Sequence, residues 1–201
     1  MKAIFLYFAH SMEHYQEIIH IKNMVCDRCI RVVKEELEKN GLQIIKITLG
    51  EAEIKSDSPI NMNSVSATLA ANGFELLENK NIRLVEQIKA TIINLIHHKD
   101  LPLKENYSDF LSKSIGKDYH ALSHLFSETE NLTIEKYIIH QKIEKAKEML
   151  VYNEHTLSEI AFKLGYSSVA YLSAQFKQVT GFTPSAFKKL KHHNRKPLDK
   201  V

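Results

Sequence analysis

Two cysteines and a few histidines are the side chains of this sequence best suited to chemistry. Cys26 and Cys29 stand three positions apart in Met24-Val25-Cys26-Asp27-Arg28-Cys29. At the start of a helix such a pair meets free backbone N–H groups and the positive end of the helix dipole. Arg28 and Arg31 add positive charge, and all of this favours thiolate. Two soft thiolates with few other ligands suit a d¹⁰ ion of low coordination number, Cu(I) ahead of Zn(II). Two other uses compete with a metal site: incidental thiols in a module kept for interaction or dimerisation, and a redox switch or thiol enzyme. The last is the weakest, because an oxidoreductase calls for a thioredoxin-like sheet and a nearby cis-proline. Pro59, Pro102, Pro184 and Pro197 are the only prolines, none nearer than 30 residues to the pair. His192-His193 forms a second metal candidate, but with Lys191, Arg195 and Lys196 beside it the segment reads better as a phosphate-contacting tail. No carboxylate pair, nucleophile triad or glycine-rich phosphate loop occurs, so no enzyme is expected.

The chain of 201 residues leaves room for one ordinary domain or two small ones. With 44% apolar and 25% charged residues, a disordered or fibrous chain is excluded. The longest apolar run, Ala3 to Ala9, is seven residues, far short of the roughly 20 that a membrane-spanning helix needs. As a secretory signal that run is poor, having only Lys2 before it and His10, Glu13 and His14 after it. A reducing, cytoplasmic setting with no membrane partner is expected. The net charge of +3 is unevenly placed: residues 1–100 carry 12 basic and 13 acidic side chains, residues 101–201 carry 15 and 11. From Ala161 to Val201 there are eight Lys or Arg against Asp199 alone, which points to a polyanion at the C-terminal side.

Residues 1–17 precede the first assigned strand and carry no assignment. Residues 18–79 alternate between strand and helix patterns. Ile18 to Lys22 is strand-like; Ile30, Val33 and Leu37 lie on one face of a helix that stops at Asn40-Gly41. Gln43, Ile45, Ile47 and Leu49 are expected on one side of the next strand, with Gly50 as the break and Glu51 to Lys55 pairing back. A second helix through Val65, Leu69 and Ala70 ends at Asn72-Gly73, and Phe74 to Leu77 makes a last strand. The order β-α-β-β-α-β is the split βαβ, or ferredoxin-like, plan. Beyond Ile82 only helical patterns follow. The expected fold class is therefore α+β, a ferredoxin-like unit followed by an all-α domain over residues 82–191 and a basic tail at 192–201.

The helical half repeats itself. Leu122, Ser123, Phe126, Asn131, Thr133 and Tyr137 recur 50 positions later as Leu172, Ser173, Phe176, Gly181, Thr183 and Phe187. Leu and Phe four apart share a helix face, Asn131 and Gly181 suit a left-handed helix end, and the threonines cap the next helix. Upstream, Ile115-Gly116 and Leu164-Gly165 supply a turn before each copy. Each copy thus reads as helix-turn-helix, joined by one long helix from Ile134 to about Tyr152. The helices beginning near Asp118 and Ser168 carry short or imidazole side chains where a merely solvated helix carries Glu and Lys pairs. Lys177, Lys188, Lys189 and Lys191 cluster beyond the second copy.

The run Ser158-Glu-Ile-Ala-Phe-Lys-Leu-Gly-Tyr-Ser-Ser, with Tyr171-Leu-Ser-Ala-Gln-Phe-Lys and Gly181-Phe-Thr-Pro-Ser-Ala-Phe, resembles the C-terminal DNA-binding domain of AraC/XylS transcription regulators. That resemblance implies seven helices, and two recognition helices entering successive major-groove faces of double-stranded DNA about 34 Å apart. By position, it implies that His120, Ser123 and His124 from the first helix, and Val169, Ala170, Ser173 and Ala174 from the second, face bases, with Lys177 near a phosphate. A second copy of the chain and RNA polymerase are the protein partners it brings into view. Asn131 replaces the usual glycine, Lys142 the usual arginine, and Ala174 a polar reader, which removes a bidentate guanine contact. Separately, residues 18–79 resemble heavy-metal-associated domains, whose Gly-Met-x-Cys-x-x-Cys motif matches at Met24, Cys26 and Cys29 with Asn23 in the glycine place. The expectation is a sequence-specific transcription regulator modulated by soft metal at Cys26 and Cys29. The rival is a metal-trafficking protein whose helical half is a scaffold.

Overall fold

The computed structural model describes residues 15–99, 105–190 and 195–201. Its first half is β1 (Tyr15–Lys22), α1 (Asp27–Lys39), β2 (Gln43–Thr48), β3 (Glu51–Ser56), α2 (Met62–Ala71) and β4 (Glu75–Leu76). The strands form one antiparallel sheet in the order β2-β3-β1-β4, the split βαβ arrangement the sequence order predicts. Strand alternation sends Ile19, Ile21, Ala52 and Ile54 to one face, where they bury against Val33 and Leu37 of α1 and Val65 and Leu69 of α2. Gly50 turns β2 into β3 at φ +83°, a backbone few other residues adopt cheaply, and its carbonyl accepts from the Ile21 N–H at 2.9 Å.

Three local expectations are corrected. The first strand begins at Tyr15 rather than Ile18, because the ladder runs from Tyr15 opposite Ser56 to His20 opposite Glu51; the outer end is exposed and so left no apolar alternation to read. In β2 the register shifts between Ile44 and Lys46. That bulge turns Ile44 and Ile47 toward the core and leaves Ile45 half exposed, against the even alternation expected through Ile45 and Ile47. In α2, Ala70 faces solvent while Val65 and Leu69 are buried.

The second half is all helical among the described residues: α3 (Lys80–His97), α4 (Tyr107–Ile115), α5 (Tyr119–Glu130), α6 (Ile134–Tyr152), α7 (Leu157–Lys163), α8 (Val169–Thr180) and α9 (Pro184–Lys188), followed by a short 3₁₀ turn (Leu198–Lys200). One apolar core runs through it, with Ile88, Ile92, Leu111, Leu122, Phe126, Ile143, Ile160, Leu172 and Phe176 among its buried members. The long α6 contributes Ile138, Ile143, Ala146 and Leu150 to this core. No helix among the described residues is long and apolar enough to cross a membrane.

Helix α3 belongs to both halves. Val85, Ile88, Ile92 and Ile96 enter the helical core. Another side meets the sheet unit: Arg83 Nε donates to Leu77 O at 2.6 Å and Gln87 Nε2 to Glu51 Oε2 at 3.3 Å. The two halves therefore abut through a rigid element, without an intervening flexible segment between β4 and α3.

Candidate nucleic-acid interface and the cysteine pair

The 50-residue repeat is a repeat of contacts. Phe126 packs on Tyr137 with tilted rings, centroids 5.5 Å apart, and their counterparts Phe176 and Phe187 meet edge-on at 5.4 Å. Asn131 ends α5 at φ +52° and Gly181 ends α8 at φ +82°, both left-handed. Thr133 then accepts from the Lys136 N–H and Thr183 from the Ala186 N–H, each at 3.2 Å. Glycines close α4 and α7, and each following helix starts on a side-chain cap: Asp118 accepts from the Ala121 N–H, Ser168 from the Tyr171 N–H. The capping box of Thr156 and Glu159 at the start of α7 was not singled out from sequence, although its spacing was there to read.

These anchors decide which faces of α5 and α8 are outward. Leu122 and Phe126 hold α5 by its buried side, Leu172 and Phe176 hold α8. His120 and His124 are exposed and Ser123 is half-buried; Ala170, Ala174 and Lys177 are exposed, and Ser173 is half-buried. Val169 is also half-buried and packs against the helical core. Of the eight residues the resemblance singled out, five are thus exposed and three half-buried among the described residues, and none is fully buried. His124 Nδ1 lies 3.3 Å from Glu128 Oε2, one helical turn on. Tyr171, passed over in the sequence reading, stands 54% exposed among the small side chains of α8, its ring edge-on to Tyr166 at 5.7 Å. Its counterpart is Ala121, so the repeat gave no signal for it.

Lys142, on the linking helix, has its ammonium 5.1 Å from the ring centroids of both Tyr107 and Tyr166. Tyr107 opens α4 and Tyr166 follows the glycine turn after α7, so one cation braces both hairpins against α6. Burial pulls the Lys142 ammonium below the usual lysine range and pushes the Tyr107 hydroxyl up to about 12. Tyr166 also donates to Gln175 Oε1 at 2.6 Å, and Tyr119 to Glu135 Oε1 at 2.5 Å, which ties α5 to α6. Of the lysines expected at the phosphates, Lys188 donates to Asn153 Oδ1 at the end of α6, while Lys191 and His192-His193 lie outside the described residues.

In the sheet unit, Cys26 occupies the N-cap position of α1 and Cys29 lies in its first turn, the placement expected. Asn23 takes φ +72°, which accounts for Asn in the glycine place, and its side chain donates to Gly73 O at 3.0 Å. Met24 is buried in the sheet core. The two Sγ atoms converge to 3.5 Å, within the reach of two ligands each about 2.3 Å from one ion. Among the described residues no group of three or more His, Cys, Asp or Glu is gathered, so the donor set is two sulfurs, which fits a soft ion of low coordination number. One expectation changes: burial pushes the Cys29 thiol up rather than down, outweighing the backbone hydrogen bond from the helix start that lowers it. Arg31, expected to help, is exposed and lies 4.0 Å from Glu35.

Residues 111–190 match the family model described as a helix-turn-helix domain, which covers α5 to α9 and most of α4. Over this stretch the chain is similar to a helix-turn-helix domain, and the match supports its likeness to the AraC/XylS DNA-binding domain. Curated relatives include an uncharacterized HTH-type transcriptional regulator of Staphylococcus aureus strain MSSA476, 33% identical over 96 residues. That alignment takes in 48% of this chain and only 12% of the relative. Another is the uncharacterized HTH-type regulator YdeC of Bacillus subtilis strain 168, 22% identical over 135 residues, 67% of this chain and 45% of that one. Among solved structures, the C-terminal domain of the response regulator AraT from Geobacillus stearothermophilus is 19% identical, with TM-score 0.48 over 59% of this chain and 93% of that one. The DNA-binding domain of AdpA, solved with a target DNA, is 15% identical, with TM-score 0.43 over 55% and 91%.

Proposed function

We propose that the chain is a sequence-specific DNA-binding transcription regulator that places α5 and α8 in successive major-groove faces of one duplex. The observation that carries this is the pair of matched hairpins, each anchored by a buried Leu and Phe while presenting short or imidazole side chains outward. His120, Ser123 and His124 face bases from the first, and Ala170, Ser173 and Ala174 with Val169 from the second. Lys177 meets a phosphate. The test is retention of genomic fragments at physiological salt over competitor DNA. His124→Ala is expected to weaken specific binding by about 1–3 kcal/mol and non-specific binding little. Lys177→Ala is expected to weaken both and to lower the salt slope by about one unit. Absence of any specifically retained fragment overturns this reading in favour of a metal-trafficking protein with a helical scaffold.

A second reading, supported by the 3.5 Å convergence of sulfurs, is that Cys26 and Cys29 bind Cu(I), with Zn(II) the weaker alternative, and so modulate the regulator. Anaerobic competition against a Cu(I) chelator is expected to show binding that the Cys26→Ser/Cys29→Ser double variant loses. Equal uptake by the variant rules it out.

A further inference from the structure

We propose that two adjacent histidines at the end of α3 latch the cysteine loop to the helix joining the two hairpins, and that soft-metal loading of Cys26 and Cys29 alters DNA affinity through this latch. The inference rests on the DNA-binding and Cu(I) readings above and adds the route between them.

His98 Nε2 lies 3.0 Å from the carbonyl of Val25, the residue before Cys26. His97 Nε2 lies 2.9 Å from Gln141 Oε1 on α6. Both partners are oxygens that only accept, so each ring nitrogen donates. The orientation of the Gln141 amide is fixed because its Nε2 donates to Tyr137 Oη at 2.9 Å and to the Leu198 carbonyl at 3.3 Å. Neighbouring residues at a helix end diverge by about 100° around the axis, so one histidine reaches the sheet unit and the next the helical core. Lys145 Nζ of α6 donates to the His97 carbonyl at 3.4 Å, so the end of α3 is held to α6 by backbone as well as side chain.

The contact is not confined to one hydrogen bond. Asn23, Met24 and Val25 face α3 and Tyr137 across a seam enclosing only about 20 Å³. Gln141 is fully buried, so a shift of His97 leaves its carbonyl without a partner where no water replaces it. Cys26 and Cys29 would hold a soft ion through their two sulfurs, and taking it up would change their present 3.5 Å separation. Cys29 is fixed in the first turn of α1 and packs on the sheet core, whereas Cys26 is the extended residue before it. The movement therefore falls on Cys26 and the Val25 carbonyl that His98 grips. Helix α6, the receiving end, carries both hairpins.

The test uses the full chain, with Cu(I) delivered anaerobically from a buffered chelator, and two readouts: affinity for a retained DNA fragment and amide hydrogen exchange of α3 and α6. Cu(I) is expected to change DNA affinity at least about fivefold and to alter exchange at residues 94–98 and along α6. His98→Ala, at the helix end, is expected to keep Cu(I) binding and metal-free DNA binding while reducing the Cu(I) effect below about twofold on the same scale. His98→Gln, which still offers a donor to Val25 O, is expected to restore part of it. The proposal is overturned if Cu(I) does not bind, if loaded protein shows unchanged DNA affinity and exchange, or if His98→Ala responds as the unaltered chain does. If no DNA is retained with or without metal, the DNA-binding reading fails by itself, and the exchange readout alone decides whether the latch exists.

Discussion

The two hairpins share a skeleton and differ in charge. The first starts its outward helix on Asp118, follows with His120 and His124, and carries Glu128 and Glu130 near its end. The second starts on Ser168, has no acid anywhere in α8, and carries Lys177 in its last turn. Internal packing diverges less: the aromatic pairs agree within 0.1 Å in centroid separation, though one is tilted and the other edge-on, and both helices end on left-handed residues. Selection on burial leaves little freedom in how a Leu and a Phe must sit, whereas the outward face is free to diverge. On the reading proposed above, the second hairpin, with Lys177 and no acid in α8, is the more strongly drawn to phosphates. The first, with Glu128 and Glu130, would depend more on what His120 and His124 meet in the groove.

The largest expected effect tests the shared skeleton. Phe126→Ala and Phe176→Ala each remove a fully buried ring from equivalent places and are expected to destabilise by about 3–5 kcal/mol, the two agreeing within about 1 kcal/mol. Urea unfolding at neutral pH measures both. A large inequality would mean that the hairpins are not equivalent inside, and the contrast would no longer be one of surface alone.

Acid probes the axis between them. Burial holds His97 at about 4, against an ordinary value of 6.5, with the Gln141 contact opposing the shift. Between those values the unfolded chain takes up a proton that the native protein does not, so stability falls as pH drops from about 6.5 toward 4. The loss is about 3 kcal/mol over that window from this residue. His20 and His140 are lowered by burial as well and act in the same direction. Because His97 bonds to the helix that carries both hairpins, tryptic or exchange protection of α5 and α8 is expected to fall together on acidification. Sequential loss would show that one hairpin stands apart from α6.

Much of this was legible in the residues because it is local or periodic. The left-handed Asn131 and the cap at Asp118 follow from side chains within one or two turns, while the 50-residue offset and the span of α6 follow from periodicity. The bulge at Ile44 and Lys46 was hidden because an apolar run such as Gln43 to Leu49 fits two registers, and only the partner strand selects one. The start of β1 was hidden because its outer residues are exposed and show no apolar alternation, although they pair with β3. The links of His98 to Val25 and His97 to Gln141 span 73 and 44 residues, and histidine at the end of a helix otherwise reads as a favourable charge near its carbonyls. The strap over α6, where Arg195 donates to Glu148 and Lys196 N–H to Glu144, likewise left no pattern, since a basic tail looks the same whether it lies on its own protein or on DNA.

The smallest expected effect bears most directly on the contrast between hairpins, through an exchange of caps. Ser replaces Asp at the start of α5 with little change in helix stability, because its hydroxyl accepts from the Ala121 N–H as the carboxylate does; a few tenths of a kcal/mol is expected. What changes is a negative charge at the helix end that the proposed docking brings to the groove. Asp118→Ser is therefore expected to raise non-specific DNA affinity about twofold to fivefold at low salt, and Ser168→Asp to lower it by a similar factor. Both differences should shrink as salt is added. If Ser168→Asp weakens binding while Asp118→Ser leaves it unchanged, only the second hairpin comes near a phosphate. The first would then hold its histidines away from the duplex, and the division between an anchoring and a reading half would give way to a single binding helix.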